Sequence, residues 1–560
     1  MFKRNKLLSI LIIFVAILVV IVGGLSASLL LSGESEESVN TGITTSTQAG
    51  TDNNLSVGQL RLSGSDPVTL DPHLATDAGS AEYIVEIYSG LVTISPDLEL
   101  TLDLASSVDI SDDGITYTFE LRDDIFFHSG RRVTAEDVAW SIKRALSREL
   151  QSTVSLAYLG DILGAREYFF GLSEDITGLE LIDDKTIQFT LDSPKPFFLA
   201  KLTYPCAFVV DGQQIEVNER NWTRKPNGTG PYKLKEWRLS EQITLYAHDR
   251  YHLGIPPLKE VVYLLSGGSA LTRFENDELD VAFISVNDVE RARDVTSDLN
   301  PLYSVWPQFT ISYFAFNIEK PPFDDVHIRR ALGLSIDRKK IAEVTFSDML
   351  APATGILAPG LPGYTDVDKT LPFNPNRARE ELLASKYKVE NGQLVTSQGE
   401  VVPIVITEVG GGAEARIDTQ AFLEQWRTEL GVNVEIRQTD FATYLAESDA
   451  KQLQMFNGGW IMDYPDPENI LDLKFHSQSG LNDLGYQNTA VDELLELARS
   501  ELNPDQRIAL YRDAEKLILE DAAWLPLYFS QNHVVVNADV NGWFEPPMVV
   551  PRLRFIEVNR

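Results

Sequence analysis

Between Gly459 and Asn469 the chain reads GWIMDYPDPEN, in which a Trp and two apolar residues run into Asp463 and two prolines follow. A carboxylate held against apolar neighbours loses hydration, so its charged form becomes costly and its affinity for a proton rises. In an enzyme that chemistry serves a general acid, and in a binding protein it supplies an anion waiting for a ligand's cation. A strand end followed by a turn accounts for the same residues without any chemistry. Asp466 and Glu468 add two nearby carboxylates, a set suited in principle to Ca²⁺. The intervening prolines and the absence of a glycine-centred loop favour a turn instead.

Other chemistry is sparse. The chain contains no HExxH, GxSxG or GxGxxG motif and no Gly-Lys dipeptide from which to build a phosphate loop. The seven histidines, His73, His128, His248, His252, His327, His476 and His533, are scattered, and only His248 and His252 have metal-like spacing. Structural or surface roles are expected for them, with no catalytic residue, metal or cofactor. The sole cysteine, Cys206, excludes an internal disulfide and reads as a small core residue.

The elements that would position Asp463 belong to a long chain. Its 560 residues exceed what one hydrophobic core serves, and 44% hydrophobic content with 26 Phe, 19 Tyr and 8 Trp is globular. A formal charge of −34, from 48 Lys+Arg against 82 Asp+Glu, opposes nucleic acid and anionic lipid. Lys3, Arg4 and Lys6 precede an apolar run from Leu7 to Leu31. A helix of that length crosses a hydrocarbon core of about 30 Å, which predicts an anchor with its basic flank in the cytoplasm and the rest of the chain outside. Leu25-Ser26-Ala27 offers the competing signal-peptide cleavage site, and no cysteine follows the run to accept a lipid. Residues 32–56, rich in Ser, Thr, Gly and Asn, read as a flexible tether.

Beyond the tether, Ile115, Tyr117, Phe119 and Leu121 alternate with polar residues as a half-buried strand requires. TAEDVAWSIKRAL predicts a helix capped by Thr134 with Asp137 at its third position, and NPDQRIALYRDAEKLILEDA one capped by Asn503. TIQFTLD and EQITLYA read as strands. Such mixing predicts an α/β or α+β chain without a solenoid repeat.

Several segments together resemble one family. TLDPH (Thr69 to His73), IVEIYSGLVTISPDLEL (Ile84 to Leu100), and SDDGITYTFELRDDIFFHSGRRVTAEDVAWSIKRAL (Ser111 to Leu146) come first. GTGPYKLKEW (Gly228 to Trp237), YFAFNIEKPPFDDVHIRRALGLSIDRKKI (Tyr313 to Ile341) and the Gly459–Asn469 stretch follow. Six pieces in register over residues 57–560 resemble the extracellular solute-binding proteins of ABC importers, in the large peptide- and nickel-binding class. The resemblance implies an α/β, two-lobed clamp like the periplasmic binding proteins, with an extra inserted domain. By that layout 57–95, 221–309 and 525–560 form lobe I, 96–220 the inserted domain, and 310–524 lobe II. A monomer is expected that hands an oligopeptide or similar small solute to a permease driven by ATPase subunits. A membrane-anchored sensor, a binder of a nickel chelate and a secreted hydrolase are the alternatives.

In peptide-binding relatives the aspartate in the place of Asp463 meets the α-ammonium of the peptide, and backbone beside the Trp pairs with its main chain. The resemblance therefore assigns Asp463 to the ligand amine, Gly459 and Ile461 to strand-like pairing, and Gly90 and Leu91 to pairing across the cleft. Trp460 is assigned either to the floor of a side-chain pocket or to the core. Two positions depart from the pattern. Asn457 stands where some relatives carry a carboxylate-binding arginine, and Arg416, ending TEVGGGAEAR, is the nearby cation that a shifted loop would offer instead. A firmly held N-terminus and a weakly held C-terminus are expected.

Overall fold

The computed structural model describes residues 58–410, 415–479 and 481–560. The basic stub at 1–6, the apolar run from Leu7 to Leu31 and the tether at 32–56 lie outside the described residues. Among the described residues no helix is long and apolar enough to cross a membrane.

The patterned segments form the expected elements. In the strand Thr116–Leu121, Tyr117, Phe119 and Leu121 face the core. Helix Ala135–Ala145 starts at Thr134, whose N–H donates to the Asp137 carboxylate at 2.9 Å. Helix Pro504–Glu520 starts at Asn503, whose side chain accepts the Gln506 N–H.

Strands Gln59–Ser63, Glu260–Leu264, Gln242–Ala247 and Tyr232–Arg238 form one four-stranded sheet, whose core includes Tyr83, Ile84, Tyr232 and Tyr263. An antiparallel sheet of Ala105–Ile110, Thr116–Leu121, Thr186–Thr190 and Leu179–Leu181 has its own core beneath helix Ala135–Ala145. The largest sheet has seven strands: β1 (Val281–Phe283), β2 (Tyr303–Phe316), β3 (Leu350–Pro352), β4 (Val405–Val409), β5 (Glu435–Thr439), β6 (Met455–Ile461) and β7 (Trp524–Val536). Its order is β1-β7-β2-β6-β4-β5, with β3 also on β7. Helices cover both faces over two apolar cores.

Strands β2 and β7, of 14 and 13 residues, are long for a globular protein. They pair antiparallel from Tyr303–Val535 to Ala315–Trp524, but the register breaks between Pro307 and Ile311. Proline offers no N–H to the ladder, which fits a break in the pairing there. Below the break β7 pairs with β1, and above it β2 pairs with β6.

The TLDPH segment fastens the first sheet to the second. Asp71 takes a two-point ion pair from Arg144 at 3.0 and 2.6 Å. His73 donates from Nε2 to the Phe208 carbonyl (3.0 Å), which leaves Nδ1 to accept from Arg144 at 2.9 Å. Burial, reinforced by the Arg144 charge, holds the imidazole neutral by lowering its pKa to about 4. Asp71→Asn would leave the Arg144 guanidinium in this setting without its anion. Urea unfolding should show a loss of about 3 kcal/mol or more, the usual consequence of breaking a buried pair from one side. A loss under about 1 kcal/mol would mean that solvent replaces the pair.

Candidate functional site

Strand β6 places the residues singled out by the sequence. Gly458 sits where an added Cβ would lie 2.6 Å from the Tyr313 ring, so glycine is required for β6 to lie close on β2. At Gly459 a Cβ would meet only the Ile311 carbonyl, at 3.5 Å, so the opposite face is open. The Met462 N–H donates to the Phe309 carbonyl at 2.9 Å and fixes the phase of the ladder. Antiparallel bonding alternates, so Gly458 and Trp460 bond to β2 while Asn457, Gly459 and Ile461 direct their backbone groups to the other edge. On that edge β4 pairs only with Met455 and Phe456. The Asn457 carbonyl accepts from the Tyr444 hydroxyl at 2.9 Å, and the Asn457 side-chain Nδ2 is buried without a partner. Beyond Phe456, the strand presents an edge that no other strand among the described residues covers.

Past the end of β6, Asp463 is half-buried on the turn. Its backbone N–H donates to Asn469 Oδ1 (3.1 Å), and its Oδ2 accepts from Asn469 Nδ2 (3.4 Å). Tyr158 and Tyr204 stack with ring centroids 4.3 Å apart, and Tyr464 meets Tyr158 edge-on at 5.8 Å. The Tyr464 ring leaves its own sheet and joins the core of residues 91–209. Tyr158 Oη lies close enough to Asp463 to favour its charge but makes no hydrogen bond of ordinary geometry. Burial pushes the Asp463 carboxyl up to about 6, against the pull of Tyr158 and Asn469. In turn the Asp463 charge reinforces burial in raising the Tyr158 and Tyr204 hydroxyls and the Cys206 thiol.

Four of the surrounding acids pair with a cation. Asp466 holds Arg507 through two bonds of 2.6 and 2.7 Å, and Asp472 holds Arg499 through two of 2.6 and 2.5 Å. Asp161 meets Lys201 at 2.7 Å and Asp483 meets Lys474 at 2.9 Å. Glu468 accepts from the Tyr464 hydroxyl and faces Lys201, and burial raises its carboxyl to about 7. Among the described residues Asp463 forms no ion pair, and no cation contributes to its proton affinity.

The remaining residues named from the sequence are placed differently. Trp460 is a core residue, 4% exposed, with its indole N–H on Asn469 Oδ1 (3.2 Å) and the Lys474 ammonium 5.6 Å from its ring centre. That burial leaves no ring face to floor a pocket. Gly90 and Leu91 are buried too. The Gly90 carbonyl accepts from the Leu104 N–H, and the Leu91 carbonyl from the Asp103 and Ala105 N–H groups. Those two carbonyls thus serve residues 103–105 within the fold. Arg416 precedes helix Ile417–Leu430 and pairs with Asp418 at 3.2 Å, with its side chain 47% exposed. His248 bonds the Gly230 carbonyl at 3.1 Å and His252 bonds Asp103 at 2.6 Å, so their rings face different partners. Tyr158, Tyr204 and Asn469 were missed in the sequence. Asn469 stands on the quoted motif, but the two tyrosines lie hundreds of residues away and carry no local signal.

A carboxyl with a folded pKa near 6 and an unfolded value near 3.8 is easier to bury neutral than charged. The folded state therefore binds more protons between those values, and stability falls as pH rises through that window. Asp463→Asn removes the cost. The ligand-free variant should exceed the parent in unfolding free energy by about 1 to 3 kcal/mol at pH 7.5 and match it near pH 4, read from paired urea curves. Equal stability at both values would mean the carboxylate is fully hydrated.

Residues 99–482 match the model of the bacterial extracellular solute-binding proteins, family 5 Middle. The oligopeptide-binding protein OppA of Bacillus subtilis is 29% identical over 494 residues, covering 86% of this chain and 89% of that protein. The periplasmic oligopeptide-binding protein OppA of Escherichia coli is 28% identical, covering 86% and 89%. Among solved structures, an oligopeptide-binding protein of Borrelia burgdorferi superposes with a TM-score of 0.73 at 26% identity, over 89% of this chain and 99% of that one. The mixed sheets and helices, with their separate cores, are those of the two-lobed binding-protein clamp. With the family model matched over most of the folded part, this chain belongs to family 5 of the bacterial extracellular solute-binding proteins.

Proposed function

We propose that this chain is the substrate-capturing subunit of an ABC importer and takes peptides or similar amine-bearing solutes, with Asp463 as the receptor of the ligand's ammonium. The observation that carries this reading is the unmatched charge: Asp466, Asp472, Asp161 and Asp483 each pair with a cation, whereas among the described residues the Asp463 carboxylate pairs with none. A desolvated ammonium supplies the missing charge, and the Tyr158 hydroxyl beside it offers a lone pair. The uncovered edge at Gly459 and Ile461 suits an extended ligand backbone, whose main-chain bonds tolerate many side chains. The named relatives bind oligopeptides.

In this reading lobe I is 57–95, 221–309 and 525–560, the inserted domain is 96–220, and lobe II is 310–524. The break between Pro307 and Ile311 lies beside the boundary at 309 and 310 and suits a hinge. On β7, residues 524–529 pair with the upper half of β2. The apolar run from Leu7 to Leu31 would tether the clamp outside the membrane, where a permease and its ATPase subunits receive the solute. No bond is made or broken, so no catalytic group is needed.

Calorimetry on ligand-stripped protein tests the amine site. Asp463→Asn should weaken a peptide with a free N-terminus by roughly 10² to 10⁴, from about 3 to 5 kcal/mol for one side of a buried pair. A change under about fivefold would contradict the assignment. The other end of the ligand behaves differently. Asn457 brings a neutral, unpartnered donor, and the Arg416 guanidinium is shared with Asp418. Amidating the C-terminus should therefore cost less than about tenfold, and a larger loss would reveal a carboxylate-binding cation, with Arg416 the first to mutate.

A further inference from the structure

Asn469 touches the site three times from a fully buried position in the first turn of helix Glu468–Phe475. Its Oδ1 accepts the Trp460 Nε1–H at 3.2 Å and the Asp463 backbone N–H at 3.1 Å, while its Nδ2 donates to Asp463 Oδ2 at 3.4 Å. Both partners of Oδ1 are donors that cannot accept, so the amide has one satisfactory orientation. A flip would set its NH₂ against two N–H groups and its oxygen against a carboxylate. The strand, the turn and the helix therefore agree on where one amide N–H points, and it points at the carboxylate.

We infer that Asn469 is the positioning residue of this site: its amide locks the Asp463 carboxylate in the orientation that receives the ligand's ammonium. The inference rests on the proposed role of Asp463. Anchoring one carboxylate oxygen against the helix leaves the other for the ligand and removes a rotation that binding would otherwise have to freeze. Donation to the charged form also favours ionisation, so the amide extends the acid limit of binding.

The groups around Asp463 leave this titration legible. From the inserted domain Tyr158, Tyr204 and Cys206 face it, all held neutral by burial in the range that matters. Asp77 faces Tyr204. Tyr464 follows Asp463 on the turn and is likewise held neutral. Glu468, on the helix of Asn469, is the one other nearby acid raised into this range, to about 7.

The test follows binding of trialanine to the ligand-stripped full chain from about pH 5 to about pH 8, where the affinity of the parent should fall as Asp463 takes up its proton. Asn469→Ala and Asn469→Ser are compared with the parent, so that one variant failing to fold does not end the experiment. The acid midpoint should rise by about half a unit or more in both, and affinity at pH 8 should drop about fivefold to tenfold, as for loss of a hydrogen bond to a charged group. A purely structural asparagine would lower the melting temperature and leave the midpoint where it was, and that result overturns the inference. Glu468→Gln should leave the midpoint in place. If it abolishes the titration instead, the midpoint belongs to Glu468 and the inference also falls. Asp463→Asn separates the two claims. Weak, pH-independent binding in that variant, with an unmoved midpoint in the Asn469 variants, keeps the amine site and removes the positioning role. Undiminished binding in Asp463→Asn removes both.

Discussion

A carboxylate drawn partly out of water needs a positive charge or a proton, and among the described residues Asp463 has been given neither a lysine nor an arginine. The surrounding structure supplies Arg507, Arg499, Lys201 and Lys474 to neighbouring acids. The missing partner is thus a local exception in a region well stocked with cations. The aromatic walls deepen the exception. Tyr158 and Tyr204 come from one side and Tyr464 reaches across to meet them, so the apolar surroundings raise the cost of the charge. An anion fully paired inside the protein would be more stable and would have nothing to offer an ammonium.

Most of the structure around this point makes the exception tolerable. Gly458 lets β6 lie against Tyr313, which fixes the strand ahead of the turn. The Asp466–Arg507 pair holds the turn to helix Pro504–Glu520, and Asn469 ties it back to Trp460. The turn bearing Asp463 is therefore rigid on its own side, while the tyrosines it faces belong to another core. In the proposed reading the site is shared between two cores, so its affinity would depend on how those cores approach, and the long, broken ladder of β2 and β7 would be where that approach is adjusted. At the opposite fastening, Asp71 and Arg144 bind TLDPH to helix Ala135–Ala145 as a closed pair, which suits a joint that should not move.

The sequence made the elements readable because local rules settle them. Alternation exposed the strand at Thr116–Leu121, and the capping residues Thr134 and Asn503 marked helix starts that the structure keeps. Asp463 was readable because its apolar run and prolines are contiguous. Trp460 showed the limit, since an indole beside a site looks the same in one dimension whether its ring faces the cleft or the core. For Gly90 and Leu91 likewise, only the fold reveals that their carbonyls accept from residues 103–105. Tyr158 and Tyr204 could not have been found from local pattern, because their relation to Asp463 is created by tertiary packing.

The central claim is that Asp463 is a poised counter-charge for a ligand's ammonium, and proton linkage reads that directly. Calorimetric titration of a free-amine peptide at pH 5.5, in two buffers of different ionisation enthalpy, gives the number of protons exchanged on binding. With the carboxyl near 6 in the free protein, an arriving ammonium lowers its proton affinity and should expel about 0.5 to 0.8 of a proton. Asp463→Asn should abolish that release. Binding without proton release in the parent, or release that persists in the variant, would show that the ammonium is received elsewhere.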